Sequence, residues 1–466
     1  MPELARIRGW VEERLPGLLA EHRVPALSLA VAAGDETYEY ATGVLSTTTG
    51  VTADTDSVFQ IGSVTKVLTA TLAMQLVEEG TLDLDVPVRD VLPTFRVTDA
   101  AASEAITVRH LLTHTSGFEG DVFVDTGAGD DCLERYVEVL ADTPQLFAPG
   151  EMFSYNNAGF STLGRIIEVL RGEPYERVLR RRLLDPLGLR HASVDADEAI
   201  LHRAAVGHLD SSEGALEPTA VWSMERSGAP AGSRLAMTAR DLLAFGRMHL
   251  AGGAAGEGAH VLSEESVSLM RAEQVRLPDI HQGTGWGLGW ELFERPGATV
   301  VGHDGSTIGQ SARLRLLPSE GVAIAILANG GETHAVFAEI IDRMLFELAG
   351  LPPEPPLAPT GPAPQDATRF LGRYESSTAI TTVSRTDDGR VWLDREPRGV
   401  VAELGDQPFR TELLGWHEDV LLPVEAEGGI RQPVAFLGDD GTGRASHLHT
   451  GRADRRIAAG ETGWEA

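Results

Sequence analysis

The sequence predicts an α/β (α+β) body with an antiparallel sheet and a helical subdomain, followed by a small all-β barrel. Three observations predict it. Helix-period apolar patterns recur around short β-rich runs through the first 350 residues. Residues 351–364 are packed with proline, as an extended, semi-rigid linker would be. Beyond them, short alternating runs are broken by Asp-Gly, Gly-Gly and Gly-Asp turns at 388–389, 428–429 and 438–439, the pattern of a small barrel or sandwich. The expected units are therefore 1–350, a linker at 351–364, and 365–466.

Taken in order, residues 4–21 read as an amphipathic helix, and 26–33 and 36–44 as strands joined around Gly34-Asp35. Residues 63–79 carry Val67, Leu68, Leu72, Met74, Leu76 and Val77 around most of a helix circumference. A helix apolar on all sides is buried, and Gly80 is a suitable stop. Helical patterns follow at 106–114, 159–171, 174–184, 238–250, 263–272 and 333–349. Segments 299–303, 311–317 and 322–328 read as strands of the sheet core. Helices grouped about an antiparallel sheet make the α+β architecture.

Composition narrows the function. The chain has 466 residues, 42% hydrophobic and 23% charged, too long for one core. A formal charge of -30 argues against nucleic acid and anionic membranes as partners. No apolar run is long enough for a transmembrane helix. The opening Met1-Pro2-Glu3-Leu4 lacks a basic n-region and an apolar run, so a cytoplasmic enzyme is expected. Cys132 is the single cysteine, which rules out an intrachain disulfide. Among 39 lysines and arginines there is a single lysine, Lys66.

That lysine belongs to Ser63-Val64-Thr65-Lys66. A serine hydroxyl is a poor nucleophile until a base takes its proton. Residues three apart share one helix face. A lysine buried in an apolar helix is desolvated, which lowers its pKa and makes it a general base. Arginine does not deprotonate in proteins and cannot substitute. Ser63, at a helix start, also has free N–H groups beside it for a developing negative charge. A second group, Tyr155-Asn156-Asn157, follows the turn at Ala148-Pro149-Gly150 and precedes a helix starting near Gly159. A tyrosine beside an amine relays protons, and an asparagine amide orients both the amine and a substrate carbonyl; read alone, the aromatic also serves as a cap on the helix. A third, Gly302-His303-Asp304-Gly305-Ser306, lies between two strand-like runs. Its glycines allow close backbone approach, and His303 is either a cleft group or a structural histidine.

Other signals carry less. His110 and His114 have the spacing of a helical metal pair but lack the H-E-x-x-H glutamate and a third ligand, so no metal or other cofactor is expected. The glycines around Trp286 and Trp290 are not followed by strand-turn-helix, so they are no dinucleotide fingerprint. No G-x-S-x-G elbow occurs. Cys132 has no activating context.

Together the three groups resemble the serine β-lactamase and penicillin-binding-protein family, in its class C β-lactamase, esterase and D-aminopeptidase branch, which uses S-x-x-K, Y-x-N and K-T-G or H-x-G in this order. The segments 106–117, 149–157 and Asp185-Pro186-Leu187-Gly188-Leu189 are also similar to it. The resemblance covers about residues 5–350. It implies a serine β-lactamase-like body with the cleft between sheet and helical part. It implies that Ser63 attacks a carbonyl, that Lys66 and Tyr155 move protons, and that Asn157 orients Lys66 and the acyl chain. His303 takes the place of the lysine in K-T-G, which counts against efficient β-lactam hydrolysis. The N–H groups of Ser63 and Ser306 are the implied oxyanion hole. Substrate contacts are expected from Trp222 and Gly232 in the turn-rich segment 221–236, from Gly305, and from Arg452. The stretch 447–452 is either a lid bringing Arg452 to the mouth or a barrel surface strand.

The trailing domain looks like the lipocalin-like barrel of penicillin-binding-protein-type thioesterases of nonribosomal peptide synthesis. That resemblance implies a cytoplasmic enzyme that takes a peptidyl thioester from its phosphopantetheine-linked carrier protein onto Ser63. It then releases a head-to-tail macrolactam, usually with a D-residue at the acyl end. The alternatives are a D-aminopeptidase, esterase or carboxypeptidase acting on small peptides or esters, and a non-catalytic sensor that acylates and stalls.

Overall fold

The computed structural model describes residues 3–211, 214–255, 260–403, 406–427 and 429–457. The Met1-Pro2 start, Gly428 of the Gly-Gly turn and residues 458–466 of the C-terminal unit lie outside them.

The body is organised on an eight-stranded antiparallel sheet. Its order is Glu36–Gly43, Ala26–Ala33, Val322–Ala328, Gln310–Leu317, Ala298–Thr307, Glu291–Arg295, Gly285–Trp286 and Val275–Arg276. The central strands Ala26–Ala33 and Val322–Ala328 are buried nearly throughout, because both sheet faces are covered. One face holds helices Glu3–Glu21 and Thr333–Ala349 in a core with Ile7, Val11, Leu15, Phe337 and Ile340. The other face holds the larger core, which runs from Phe59 through the helix Thr65–Glu78 to the helical part around Asn157–Arg171. Thr65 to Leu76 are all buried in that helix, matching its all-round apolar pattern.

Two local differences from the sequence reading matter. The helix expected at 63–79 is α-helical over Thr65–Glu78, and Ser63 sits in the tighter turn Gly62–Val64 ahead of it. The strand expected at 299–303 runs on to Thr307, so the Gly302–Ser306 segment lies inside a strand of the sheet rather than between strands. Gly305 makes this possible: a Cβ there would lie 2.0 Å from the Ile61 carbonyl oxygen.

Residues 351–360 have no regular secondary structure, and Gly361–Pro362 pairs with Gly415 and Leu414. The C-terminal strands then close into a barrel of eight. The ring runs Phe409–His417, Val391–Pro397, Ala379–Arg385, Gly372–Glu375, Ala453–Ile457, His447–His449, Val434–Leu437 and Val420–Pro423, which pairs back with the first. Closure removes exposed sheet edges. A core including Phe370, Tyr374, Val391, Leu413 and Phe436 fills part of the interior.

Candidate active site

The chain folds so that two backbone segments wrap Ser63. Gly62 adopts φ +53°, and a Cβ on it would lie 2.5 Å from Ser306 N. Gly232 adopts φ +117°, with a virtual Cβ 2.2 Å from the Gly62 carbonyl oxygen and 2.9 Å from Ser63 N. Gly305 approaches from the sheet side, 3.1 Å from Ser63 N by the same measure. Side chains are excluded at all three positions, so that backbone meets backbone around the serine.

Lys66 is the second residue of the buried helix and has no solvent exposure. Its Nζ is 3.1 Å from Ser63 Oγ, 2.7 Å from Asn157 Oδ1 and 2.6 Å from the Ala231 carbonyl oxygen. A neutral amine has two protons, and two of these neighbours are carbonyl acceptors. Donating one proton to each leaves the lone pair for Ser63 Oγ. Burial pushes the Lys66 pKa well below that of an ordinary lysine, and the Arg452 cation pushes it the same way, against Asp121 and Glu291.

Tyr155 is held by main-chain bonds on both sides. Ser154 N donates to the His114 carbonyl at 2.8 Å, and Tyr155 N to the Gly451 carbonyl at 2.9 Å. Its ring packs 4.4 Å from the His114 ring and 4.9 Å from Lys66 Nζ. Burial pushes its phenol above the ordinary tyrosine range, and nearby Ser63 acts in the opposite sense. Asn156 is the cap of helix Asn157–Arg171, accepting from Gly159 N at 2.6 Å. Asn157, the first helical residue, therefore points its amide to the cleft. There its Nδ2 donates to Asp121 Oδ1 at 2.7 Å.

His303 is fully buried beneath the cleft. Its Nδ1 is 2.6 Å from the Asp304 carbonyl oxygen, which makes Nδ1 the protonated nitrogen, while Nε2 has no hydrogen-bond partner. Burial, reinforced by Lys66, pushes its pKa down to about 3, so the imidazole is neutral. Cationic charge nearby comes from Arg313 and Arg315, 3.0 and 2.7 Å from Asp304, and from Arg452.

A cleft of about 330 Å³ brings together Ser63, Tyr155, Asn157, Gly232, Ser306 and Arg452, with Gly305 in its wall. Trp222 is not on that wall: its indole N–H donates to the Ala205 carbonyl at 2.8 Å, and Met224 and Glu225 line the cleft instead. The 447–452 stretch is neither a surface strand nor a separate lid: its strand residues are buried. His447–His449 is a barrel strand, and the turn after it carries Arg452 to the cleft. Arg452 is bound through two hydrogen bonds to Asp121, and its guanidinium carbon lies 5.2 Å from the Tyr155 ring centre.

Sequence reasoning missed Asp121 and Glu291. Asp121 joins Asn157 to Arg452, and its only signal is its position four residues after Gly117 of the 106–117 segment. Glu291 is 2% exposed in the cleft wall, and burial pushes its carboxyl up to about 8. The histidine pair has structural roles. His110 Nδ1 accepts from Thr107 N in a capping box, and His114 Nδ1 accepts from Asn156 N at 2.9 Å. Cys132 is buried, and burial pushes its thiol up to about 11. No helix of the described residues is long and apolar enough to cross a membrane.

The β-lactamase family profile matches residues 11–349. Penicillin-binding protein 4 of Amycolatopsis lactamdurans is 45% identical over 368 residues, covering 78% of this chain and 96% of that protein. The crystal structure of SurE superposes with a TM-score of 0.79 at 29% identity, over 98% of this chain and all of that one, and another structure of SurE contains D-Leu. A class C β-lactamase of Rhodobacter sphaeroides shares the fold of the body, with a TM-score of 0.57 at 22% identity, over 71% of this chain and 98% of its own. A chain with this profile match, this relative and this fold belongs to the β-lactamase and penicillin-binding-protein family of serine hydrolases and acyltransferases.

Proposed function

We propose that the protein is a penicillin-binding-protein-type thioesterase that moves a peptidyl group from a carrier-protein thioester onto Ser63 and releases it as a head-to-tail macrolactam. The observation that carries this reading is the barrel turn seated on the cleft: Gly451 binds the Tyr155 backbone and Arg452 forms part of the wall. A cleft roofed in this way favours an acceptor tethered to the acyl group over free water. The likeness to SurE extends over both units, and a D-Leu complex of SurE supports a D-residue at the acyl end. The neutral His303 supplies no permanent cation for a β-lactam carboxylate.

In this reading Ser63 Oγ attacks the thioester carbonyl as its proton passes to Lys66 Nζ. The tetrahedral oxyanion accepts hydrogen bonds from Ser63 N–H and Ser306 N–H, an arrangement typically worth about 3–4 kcal/mol of barrier per donor. The C–S bond then breaks, and the proton travels from Lys66, by way of Tyr155, to the thiol sulfur. The peptide's own amine next attacks the Ser63 ester. It gives a proton to the neutral Lys66, which returns one to Ser63 Oγ as the C–O bond breaks. Asn157 keeps the Lys66 amine in place beside Ser63 throughout.

The test is incubation with a peptidyl pantetheine thioester ending in a D-residue. The expected product is lighter than the linear acid by one water. Linear acid alone, across peptides of varied length, would support the hydrolase alternative in place of cyclisation. A stable acyl-enzyme with no release would support the sensor.

A further inference from the structure

The barrel interior is not filled by its core. A chamber of about 420 Å³ remains, within the roughly 300–1,000 Å³ of small-molecule sites. Asp121, Phe123 and Arg452 line it; Phe123 and Arg452 also line the catalytic cleft, so the two spaces meet at those side chains.

The charges on the chamber wall are unequal. Arg452 is held by Asp121, and Arg395 lies 2.6 Å from Glu427. Asp454 also lines the chamber and is 8% exposed, yet it forms no salt bridge with a described residue. The Ser376 hydroxyl is its close polar neighbour; the Arg395 and Arg452 cations, each already paired elsewhere, favour its charge only from beyond salt-bridge distance, and the Glu119 carboxyl opposes it. A buried carboxylate without a cation is unfavourable unless something compensates it. The remaining polar wall offers the hydroxyls of Thr381 and Thr411, the Gln432 amide and the Glu425 carboxyl, and no further cation.

We infer that the barrel chamber is a second substrate compartment, whose Asp454 receives a cationic group, an ammonium or guanidinium, on the part of the substrate remote from the carbonyl at Ser63. The inference rests on the acyl-transfer reading for where that carbonyl sits. Burial pushes the Asp454 carboxyl up to about 7, so a cation bound beside it also displaces a proton.

The test is equilibrium binding to the full chain carrying Ser63→Ala, so that no turnover is needed. Two N-acetylated pentapeptides ending in D-leucinamide are compared, one with lysine and one with norleucine at the acetylated end. The lysine peptide is expected to bind about tenfold more tightly, a difference of about 1.4 kcal/mol. Adding Asp454→Asn is expected to remove that difference and leave the norleucine peptide unchanged. Thr381→Leu, which narrows the chamber, is expected to weaken both pentapeptides and spare an acetylated dipeptide ending in D-leucinamide. Equal binding of the two pentapeptides, no binding of either, or equal weakening of both by Asp454→Asn overturns the inference. Failure of the thioester assay with this binding pattern intact would instead remove the cyclase reading alone.

Discussion

In the proposed mechanism, the chemistry at Ser63 is decided by where the Lys66 amine places its protons. Asn157 Oδ1 and the Ala231 carbonyl accept one each, so a neutral amine has one orientation left for its lone pair. A guanidinium at 66 donates but never accepts, so Lys66→Arg is expected to lower the acylation rate by at least about 10³-fold, read by intact-protein mass after a thioester pulse. Arg452 helps to hold the Lys66 pKa down. Replacing it by glutamine raises that pKa, so the acid limb of kcat/KM is expected to move to higher pH. An unchanged limb would mean that Arg452 acts only by contact. Ser63, Lys66, Tyr155 and Asn157 were legible in the sequence because the pairs Ser63–Lys66 and Tyr155–Asn157 are fixed by local spacing. Asp121 was not, since nothing in spacing ties a loop aspartate to an arginine 331 positions away. Trp222 was misplaced for a related reason: aromatic character says that a side chain is buried, not which wall it joins.

At the scale of elements, the site is a meeting of three backbones that tolerate no Cβ. Gly305→Ala would place a methyl 2.0 Å from the Ile61 carbonyl oxygen, and neither strand nor turn has a flexible side chain to yield. It is expected to destabilise the chain by about 1–3 kcal/mol, and to reduce activity further by shifting Ser306 from Ser63. Thermal melting and acylation rate together check this; wild-type values for both would contradict it. The helices and strands were read well where periodicity is unambiguous, as in 26–33, 322–328 and 333–349. The continuation of strand 298–307 through Gly302 and Gly305 is not legible in the sequence, because glycine weakens a strand pattern; here Gly302 is required by the approach of Leu314 and Arg315, and Gly305 by that of Ile61 and Ser63.

At the scale of the molecule, the barrel is fastened to the body by neutral histidines. His447 Nε2 donates to the Leu146 carbonyl at 3.2 Å, and His449 Nε2 to the Phe153 carbonyl at 2.7 Å. His449 Nδ1 accepts from Gly451 N, shaping the turn that carries Arg452. Burial pushes the His449 pKa down to about 4 from 6.5, so the folded chain binds fewer protons than the unfolded one between those values. Stability from this group is complete above about pH 6.5 and is lost as pH falls toward 4, on the order of 3 kcal/mol. The melting temperature is expected to fall over that window, and His449→Gln to flatten the fall; an equal slope in the variant would place the dependence elsewhere. That the C-terminal unit is a barrel was legible from its turns, but its docking was not, because it combines bonds to main-chain groups with side-chain pairs such as Asp121–Arg452 and His417–Asp279 that are far apart in sequence.

One property of the whole chain permits a direct test of its central chemistry. Because Lys66 is its single lysine, isotopic labelling of the lysine ε-carbon gives one resonance, and its titration by NMR reports this amine alone. The expected curve has its midpoint well below the ordinary lysine value of about 10.4 and coincides with the acid limb of kcat/KM. A resonance that stays in its protonated position up to pH 10 would show that the amine is charged when the enzyme works, and Lys66 would not be the base for Ser63.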